Sequence, residues 1–250
     1  MTEPDPLRYA RQIALPQLGL DGQARLGQGS ALVIGLGGLG ATAALYLGNA
    51  GVGHLVINDY DRVDASNLPR QILFQPADVD QYKTHAAAEK LRAWNPALRV
   101  SVLNRRLDDD ELAEAVAACS VVLDCTDNFA TRLKINQACA AAGRPLVMGA
   151  AIRFEGQVGV FRHEGDGQPC YQCLYADTDE NLDDCAGQGI FAPVAGAVGC
   201  LMATEAMKII AGLGSELDGR LWIYDGLAGT SRNLGIALNP PVSYTHLRAH

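Results

Sequence analysis

A glycine loop set between a β-branched segment and an alanine-rich one constrains this chain more than any other feature. The stretch ALVIGLGGLGATAALYLGNAGVGHLVINDYD, residues 31–61, contains Gly35-Leu36-Gly37-Gly38-Leu39-Gly40, a formal match to G-x-G-x-x-G. A strand is expected over 31–34 and a helix over 41–50, so the loop lies where the chain turns from one into the other. Glycine lets the backbone approach a phosphate, whose charge then meets the N-terminus of the helix. Asp59 follows Gly40 by 19 residues, at the end of a second expected strand over 54–59. There a carboxylate can accept hydrogen bonds from ribose hydroxyls. Gly35, Gly37, Gly38, Gly40 and Asp59 thus outline a nucleotide-binding unit, open at this point to NAD and to another adenine nucleotide alike.

The pattern continues with a helix over 83–94 that stops before Pro96, a strand over 99–103, a helix over 109–118 and a strand over 121–124. A helix over 131–142 and a strand over 145–149 follow. Such alternation predicts an α/β, Rossmann-like, doubly wound fold with a mostly parallel sheet. Beyond residue 149 come shorter β segments over 156–161, 221–224 and 232–238, around one helix from Pro193 to 211. Pro193 suits the first turn of that helix. These late strands are expected to extend the same sheet in antiparallel fashion. Ahead of the glycine loop, residues 7–26 read as one or two short helices with Arg8 and Arg11 on one face, an exposed basic edge. At 250 residues and 48% hydrophobic composition the chain can bury a substantial core. A single domain over 1–241 with an N-terminal helical arm is therefore expected.

The net charge of −8, with Lys and Arg scattered, lacks the footprint of a nucleic-acid binder, so any anionic ligand must be neutralised locally. The opening MTEPDPLRYARQ has acids and prolines where a signal peptide needs a basic start and an apolar stretch. Residues 185–204 are uncharged, but glycines, Gln188 and Pro193 interrupt them, which predicts a buried loop and helix rather than a membrane span. The seven cysteines suit reduced thiols or metal ligands in the cytoplasm better than a disulfide framework. Cys119, Cys125, Cys139 and Cys200, among Ala, Val and Leu, read as small core hydrophobes.

Residues after the second strand favour ATP over a dinucleotide. NDYDRVDASNLPRQ adds Asp61 and a polar loop with Ser66, Asn67 and Arg70; QYKTHAAAEK puts Lys83 at a helix start; LDCTDNFATR places Asp127 and Asn128 just past a strand. Ligands of open α/β sheets bind at the carboxyl ends of strands, so cations for a triphosphate and an acid for magnesium converge by topology. A dehydrogenase would instead need a hydride-handling acid and base, and no Tyr-x-x-x-Lys occurs. Taken singly, each residue also has a plainer use: Lys83 as a solvated helix lysine, Arg70 in a loop salt bridge, Asp127 as a helix cap.

RYARQIAL, VIGLGGLG, the DxDxVDxSNLPRQ pattern, DCTDNFxxR, GAAIRFEGQVGVF, CYQCL and VGCLMATEAMKII occur in that order. On these motifs the chain, over about residues 7–241, resembles the molybdopterin-synthase adenylyltransferases and their thiamine-pathway counterparts, bacterial relatives of ubiquitin-activating enzymes. The resemblance implies binding of Mg-ATP and of the C-terminal Gly-Gly tail of a ubiquitin-like sulfur carrier, whose carboxylate attacks the α-phosphate. It places Gly38 in the phosphate-facing backbone, Asp59 on the ribose, Asn67, Arg70 and Lys83 along the phosphates with Ser66 beside them, Asp127 on magnesium and Asn128 next to it. It also implies a homodimer in which Arg11 reaches into the partner subunit's site. Cys185 matches a cysteine that some relatives use for a covalent link to the carrier or its sulfur, although Asp183 and Asp184 would raise rather than lower a thiol's pKa.

Cys170 and Cys173 form one C-x-x-C, half of a tetrahedral zinc site. In the family resembled, a second pair follows the Asn-Pro near the C-terminus; counting from Asn239, those positions are Val242 and Thr245, neither able to supply a thiolate. His246 and His250 have the i, i+4 spacing that could complete a Cys₂His₂ set. The preferred expectation is that VSYTHLRAH is foreign to this fold, that residues 242–250 are a non-native or disordered tail, and that zinc belongs to the native protein but is doubtful in this chain. Three other functions remain open: a nicotinamide oxidoreductase, activation of a small-molecule or tRNA-borne carboxylate as in the threonylcarbamoyladenosine dehydratases, and a silent carrier-binding scaffold. No rhodanese-like region is recognisable, so sulfur is expected from elsewhere.

Overall fold

The computed structural model describes residues 5–163, 168–175, 189–215 and 217–238. Two short helices, α1 (Ala10–Ile13) and α2 (Gly19–Gln28), lead into β1 (Ser30–Ile34), α3 (Gly38–Asn49) and β2 (His54–Asn58). Then come α4 (Lys83–Trp94), β3 (Arg99–Leu103), α5 (Asp109–Ala117), β4 (Val121–Asp124), α6 (Phe129–Ala142) and β5 (Leu146–Ile152). The later part contributes β6 (Glu155–Phe161), α7 (Tyr171–Leu174), α8 (Ala192–Ala211), β7 (Arg220–Asp225) and β8 (Thr230–Gly235).

All eight strands join one sheet in the order β3-β2-β1-β4-β5-β6-β7-β8. β3 through β5 pair in parallel, and β5 through β8 pair antiparallel, as the change of style after residue 149 predicts. β1 and β4 are buried at nearly every position because helices cover both faces of the parallel part. Alternate residues serve the two faces. Ala31, Val33, Leu55, Ile57, Leu123 and Val147 pack with α3, α4 and α8, whereas Leu32, Ile34, Val122, Leu146 and Met148 pack with α5 and α6.

Local chemistry sets the element ends. Asp108 and Glu111 form a reciprocal capping box on α5, and Gly143 and Gly212 close α6 and α8 in left-handed conformation. α8 is 20 residues long and passes a length-and-hydropathy test for a membrane span, yet it lies on α3, β5 and β6, with Val198, Met202 and Ala206 in the core. Its uncharged composition is that of a buried helix, in line with the expectation for its part of the run 185–204; residues 185–188 lie outside the described ones.

Several boundaries differ from expectation, among them the end of β5 at Ile152, and three have a local physical reason. α3 begins at Gly38, inside the glycine loop, because the loop's second half is already the first helical turn. α6 begins at Phe129, since Asn128 caps it. β8 ends at Gly235, where its register with Arg220 runs out; Asp225 fixes that register by accepting from the amides of Leu227 and Ala228 in the hairpin turn. Two 3-10 turns, Ala65–Asn67 and Pro76–Asp78, and the short α7 are additions without periodic signal.

Candidate active site

The sheet reverses its winding between β1 and β4, and the crevice over the carboxyl ends of those strands is where open α/β sheets bind ligands. Its floor is the glycine loop. Gly35 has φ +89°, and a Cβ there would stand 2.9 Å from the Cys125 carbonyl oxygen; one on Gly40 would stand 1.8 Å from the Gly35 carbonyl oxygen. These two glycines let the loop fold tightly between β1 and β4. Gly37 plays another part: it is the N-cap of α3, contributes no side-chain cap, and faces open space. The first amides of α3 are therefore left for an anion. Above Gly38 lies Arg70, whose carbonyl oxygen and Cγ would be 3.3 and 3.5 Å from an added Cβ.

Asp59 is buried at the end of β2, accepting from the Leu36 amide (2.7 Å) through Oδ2 and from the Asp61 amide (2.8 Å) through Oδ1. It thus ties the glycine loop to the end of β2. Lys83 is not a solvated helix lysine. It is 5% exposed, with Nζ 3.0 Å from Asp61 and 3.8 Å from Asp59. Arg70 donates to the Ser66 carbonyl (3.1 Å) rather than to a carboxylate, so the expected loop salt bridge is absent among the described residues. Ser66 donates through Oγ to Asp64 (2.5 Å), which caps the 3-10 turn carrying Asn67.

Across the crevice, past β4, the cap of α6 is Asn128 and not Asp127: Asn128 Oδ1 accepts from the Thr131 amide (2.9 Å) and hydroxyl (3.1 Å). This leaves the Asp127 carboxylate exposed and, among the described residues, without a hydrogen-bond donor. An exposed acid of this kind suits magnesium, which keeps most of its water and takes one or two carboxylates.

Arg11 stands apart from these residues. The arm docks at the far end of α3: Arg8 donates to Asn49 and to the Trp94 carbonyl, Gln12 to the Ala50 carbonyl, and Tyr9 packs at Gly51. The glycine loop is at the other end of this 12-residue helix, about 18 Å away at 1.5 Å per residue. Arg11 is exposed and makes no hydrogen bond or ion pair with the described residues.

Cys170 and Cys173 bring their sulfurs to 3.9 Å of each other across α7, and burial, with Cys173 beside it, pushes the Cys170 thiol up. Backbone amides of Cys173 and Gln172 and the nearby Asn136 side chain counter that shift only in part. Among the described residues no third His, Cys, Asp or Glu joins the pair, so it is half a metal site. Cys119, Cys125 and Cys139 are buried and Cys200 is partly so; burial raises all four thiols. Cys119, Cys125 and Cys139 behave as core hydrophobes, whereas Cys200 is half-buried and belongs to neither core cluster. Cys185, Val242, Thr245, His246 and His250 lie outside the described residues.

Two residues of the site carried no separate expectation. Asp124, 1% exposed at the end of β4, binds the Thr126 amide and hydroxyl through Oδ1 and leaves Oδ2 without a partner. Burial holds its carboxyl above the usual range, an effect that Arg132 and Thr126 offset only in part. Arg132, on α6, donates to the carbonyls of Thr126 and Gly149. Burial disfavours its charge, but Asp124, Tyr171 and Tyr175 more than offset this. The arginine therefore pins the loop immediately before Asp127. Its one sequence signal is the last letter of DCTDNFxxR, which shows spacing but not burial.

Residues 9–242 match the model of the ThiF family. The chain is 44% identical over 240 residues to the molybdopterin-synthase adenylyltransferase of Escherichia coli K12, covering 96% of each. It is 44% identical over 236 residues to the sulfur carrier protein ThiS adenylyltransferase of the same organism, covering 94% of this chain and 93% of the relative. In fold it is similar to the crystal structure of E. coli MccB with ATP, with a TM-score of 0.83 at 21% identity over 94% of this chain and 72% of that one.

Proposed function

This chain belongs to the ThiF family, and from that premise we propose that it uses ATP to activate the C-terminal glycine carboxylate of a ubiquitin-like sulfur-carrier protein. It is an adenylyltransferase acting in molybdopterin or thiamine sulfur transfer. The nicotinamide alternative gives way, because relatives matched along nearly the whole chain are adenylyltransferases.

The observation that carries this function in the site is the uncapped start of α3 at Gly37, with Arg70 above it, Lys83 beside Asp59 and the bare carboxylate of Asp127 at the next strand end. A carboxylate is a poor electrophile until one of its oxygens becomes a good leaving group. Here a carrier carboxylate oxygen attacks the α-phosphorus of ATP, a new P–O bond forms, the bond to the β-phosphate oxygen breaks, and pyrophosphate leaves. Catalysis is positioning plus neutralisation of charge on the phosphates. In our reading Asp59 holds the ribose, the α3 amides and Asn67 hold phosphate oxygens, and Arg70 and Lys83 balance their charge. Asp127 would hold magnesium, which when bound neutralises the departing pyrophosphate.

Because Arg11 is about a helix length from its own chain's glycine loop, we assign it to the site of a second copy in a homodimer. For Cys170 and Cys173 we propose zinc ligation that needs two further donors. Metal analysis of this chain is expected to find less than one zinc per protein, and a tightly held stoichiometric zinc would overturn that view. The adenylation itself is tested by carrier-dependent exchange of pyrophosphate into ATP, using several carriers that end in Gly-Gly. Exchange with at least one is expected; none with any, together with tight NAD binding, would sink the proposal.

A further inference from the structure

Asn67 belongs to a hydrogen-bonded chain whose direction is set at one end. Asp64 is exposed and ionised, and a carboxylate can only accept. The single hydroxyl proton of Ser66 is committed to Asp64 Oδ1 at 2.5 Å, so Ser66 Oγ must accept from its other side. It does so from Asn67 Nδ2 at 3.2 Å. That places Asn67 Oδ1 at the opposite end of the amide, where it accepts from Gln71 Nε2 at 2.7 Å. Gln71 is 2% exposed, its backbone amide donates to the Asn67 carbonyl, and its Oε1 has no partner. A buried amide oxygen without a donor is costly to keep. The arrangement spends that cost on aiming the other half of the amide at Asn67.

We propose that Gln71 is a positioning residue that fixes the orientation of the Asn67 amide, so that the nucleotide phosphates meet an N–H donor and not the carbonyl oxygen. The inference rests on the adenylation reading for its ligand, ATP. With both ends of the Asn67 amide committed, its second N–H is the one without an acceptor among the described residues. Were the amide reversed, lone pairs would face phosphate oxygens, and an attraction would become a repulsion. Asp64, at the exposed end, and Gln71, at the buried end, thus orient Asn67 together without touching the nucleotide.

Gln71→Glu is the discriminating variant, since it keeps the shape and, when ionised, exchanges a donor for an acceptor. The full-length protein is assayed with carrier for the KM of ATP and kcat of pyrophosphate exchange between pH 6 and 8.5, and for ATP affinity by calorimetry without carrier. At pH 8 the variant is expected to raise the KM and Kd of ATP about tenfold, with kcat changed less than about threefold. Relative to wild type, the defect should shrink toward pH 6, where the substituted carboxyl regains a proton to donate to Asn67. Gln71→Met, which can neither donate nor ionise, should give a rise of about threefold that does not vary with pH. It also serves if the buried carboxylate prevents folding. The inference is overturned if the ATP Kd of Gln71→Met, or of a folded Gln71→Glu, stays within about twofold of wild type, or if Gln71→Glu loses kcat equally at every pH, as a merely structural lesion would. Absence of exchange in the wild type would instead count against the adenylation reading, while calorimetry would still decide the role of Gln71.

Discussion

At the residue scale, the least forgiving feature is a buried carboxyl beside the loop that carries Asp127. Asp124 is almost fully enclosed, and the compensating charge comes from Arg132. Arg132 holds the carbonyls of Thr126 and Gly149 and is the cation that lowers the Asp124 carboxyl, so Arg132→Met is expected to destabilise the protein by about 2 kcal/mol in urea unfolding. Asn at 124 would keep the acceptor for Thr126 without the charge. Asp124→Asn placed on top of Arg132→Met should therefore recover about half of that loss. Simple addition of the two single losses would show that the residues are not coupled. Because Arg132 also pins Thr126, next to Asp127, the single variant should need more magnesium for half-maximal exchange. None of this follows from composition: an aspartate in LDCTD and an arginine eight residues later reveal neither burial nor mutual compensation.

At the scale of elements, the candidate nucleotide site is built from helix and strand ends. α3 starts at a glycine that leaves its amides bare, whereas α6 starts at an asparagine that satisfies its own. The difference matches the roles proposed for each end: the first to receive phosphate, the second to hold still beside Asp127. Asn128→Ala removes the cap and is expected to cost about 1 kcal/mol. It should also raise the KM for ATP-magnesium with little change in carrier affinity; an unchanged melting temperature would show that the cap contributes nothing. Helix and strand cores were legible because 3.6- and 2-residue periods report burial directly. α4, β3 and β4 lie at their expected residues. The 3-10 turns were not, since they have no period and rest on single side chains such as Asp64 and Asp78. Yet the turn at Ala65–Asn67 carries Asn67, one of the candidate phosphate contacts.

On the scale of the whole molecule, a single sheet carries both the nucleotide crevice and the antiparallel extension. The basic arm is docked at the opposite end of α3 from that crevice. If a second copy supplies Arg11, Arg11→Ala and Asp127→Ala should each be nearly inactive alone. Mixed in equal amounts and allowed to exchange subunits, they should recover about a quarter of wild-type activity, because half the dimers are mixed and each has one intact site of two. No recovery from a mixture shown to contain mixed dimers would place Arg11 outside the reaction.

From the sequence alone came the phosphate-binding loop, the alternation that makes a doubly wound sheet, and the set of charged residues suited to ATP. Each of these is local: a glycine pattern, a period, or a residue type at a predicted strand end. The tertiary structure decided which of those charges are bare and which are engaged. It buried Lys83 between Asp59 and Asp61, moved the α6 cap from Asp127 to Asn128, set Arg132 on the carbonyls of Thr126 and Gly149, and separated Arg11 from the loop by the length of α3. Burial and partnership depend on which distant segments the fold brings together. A single side chain's neighbours along the chain do not specify them.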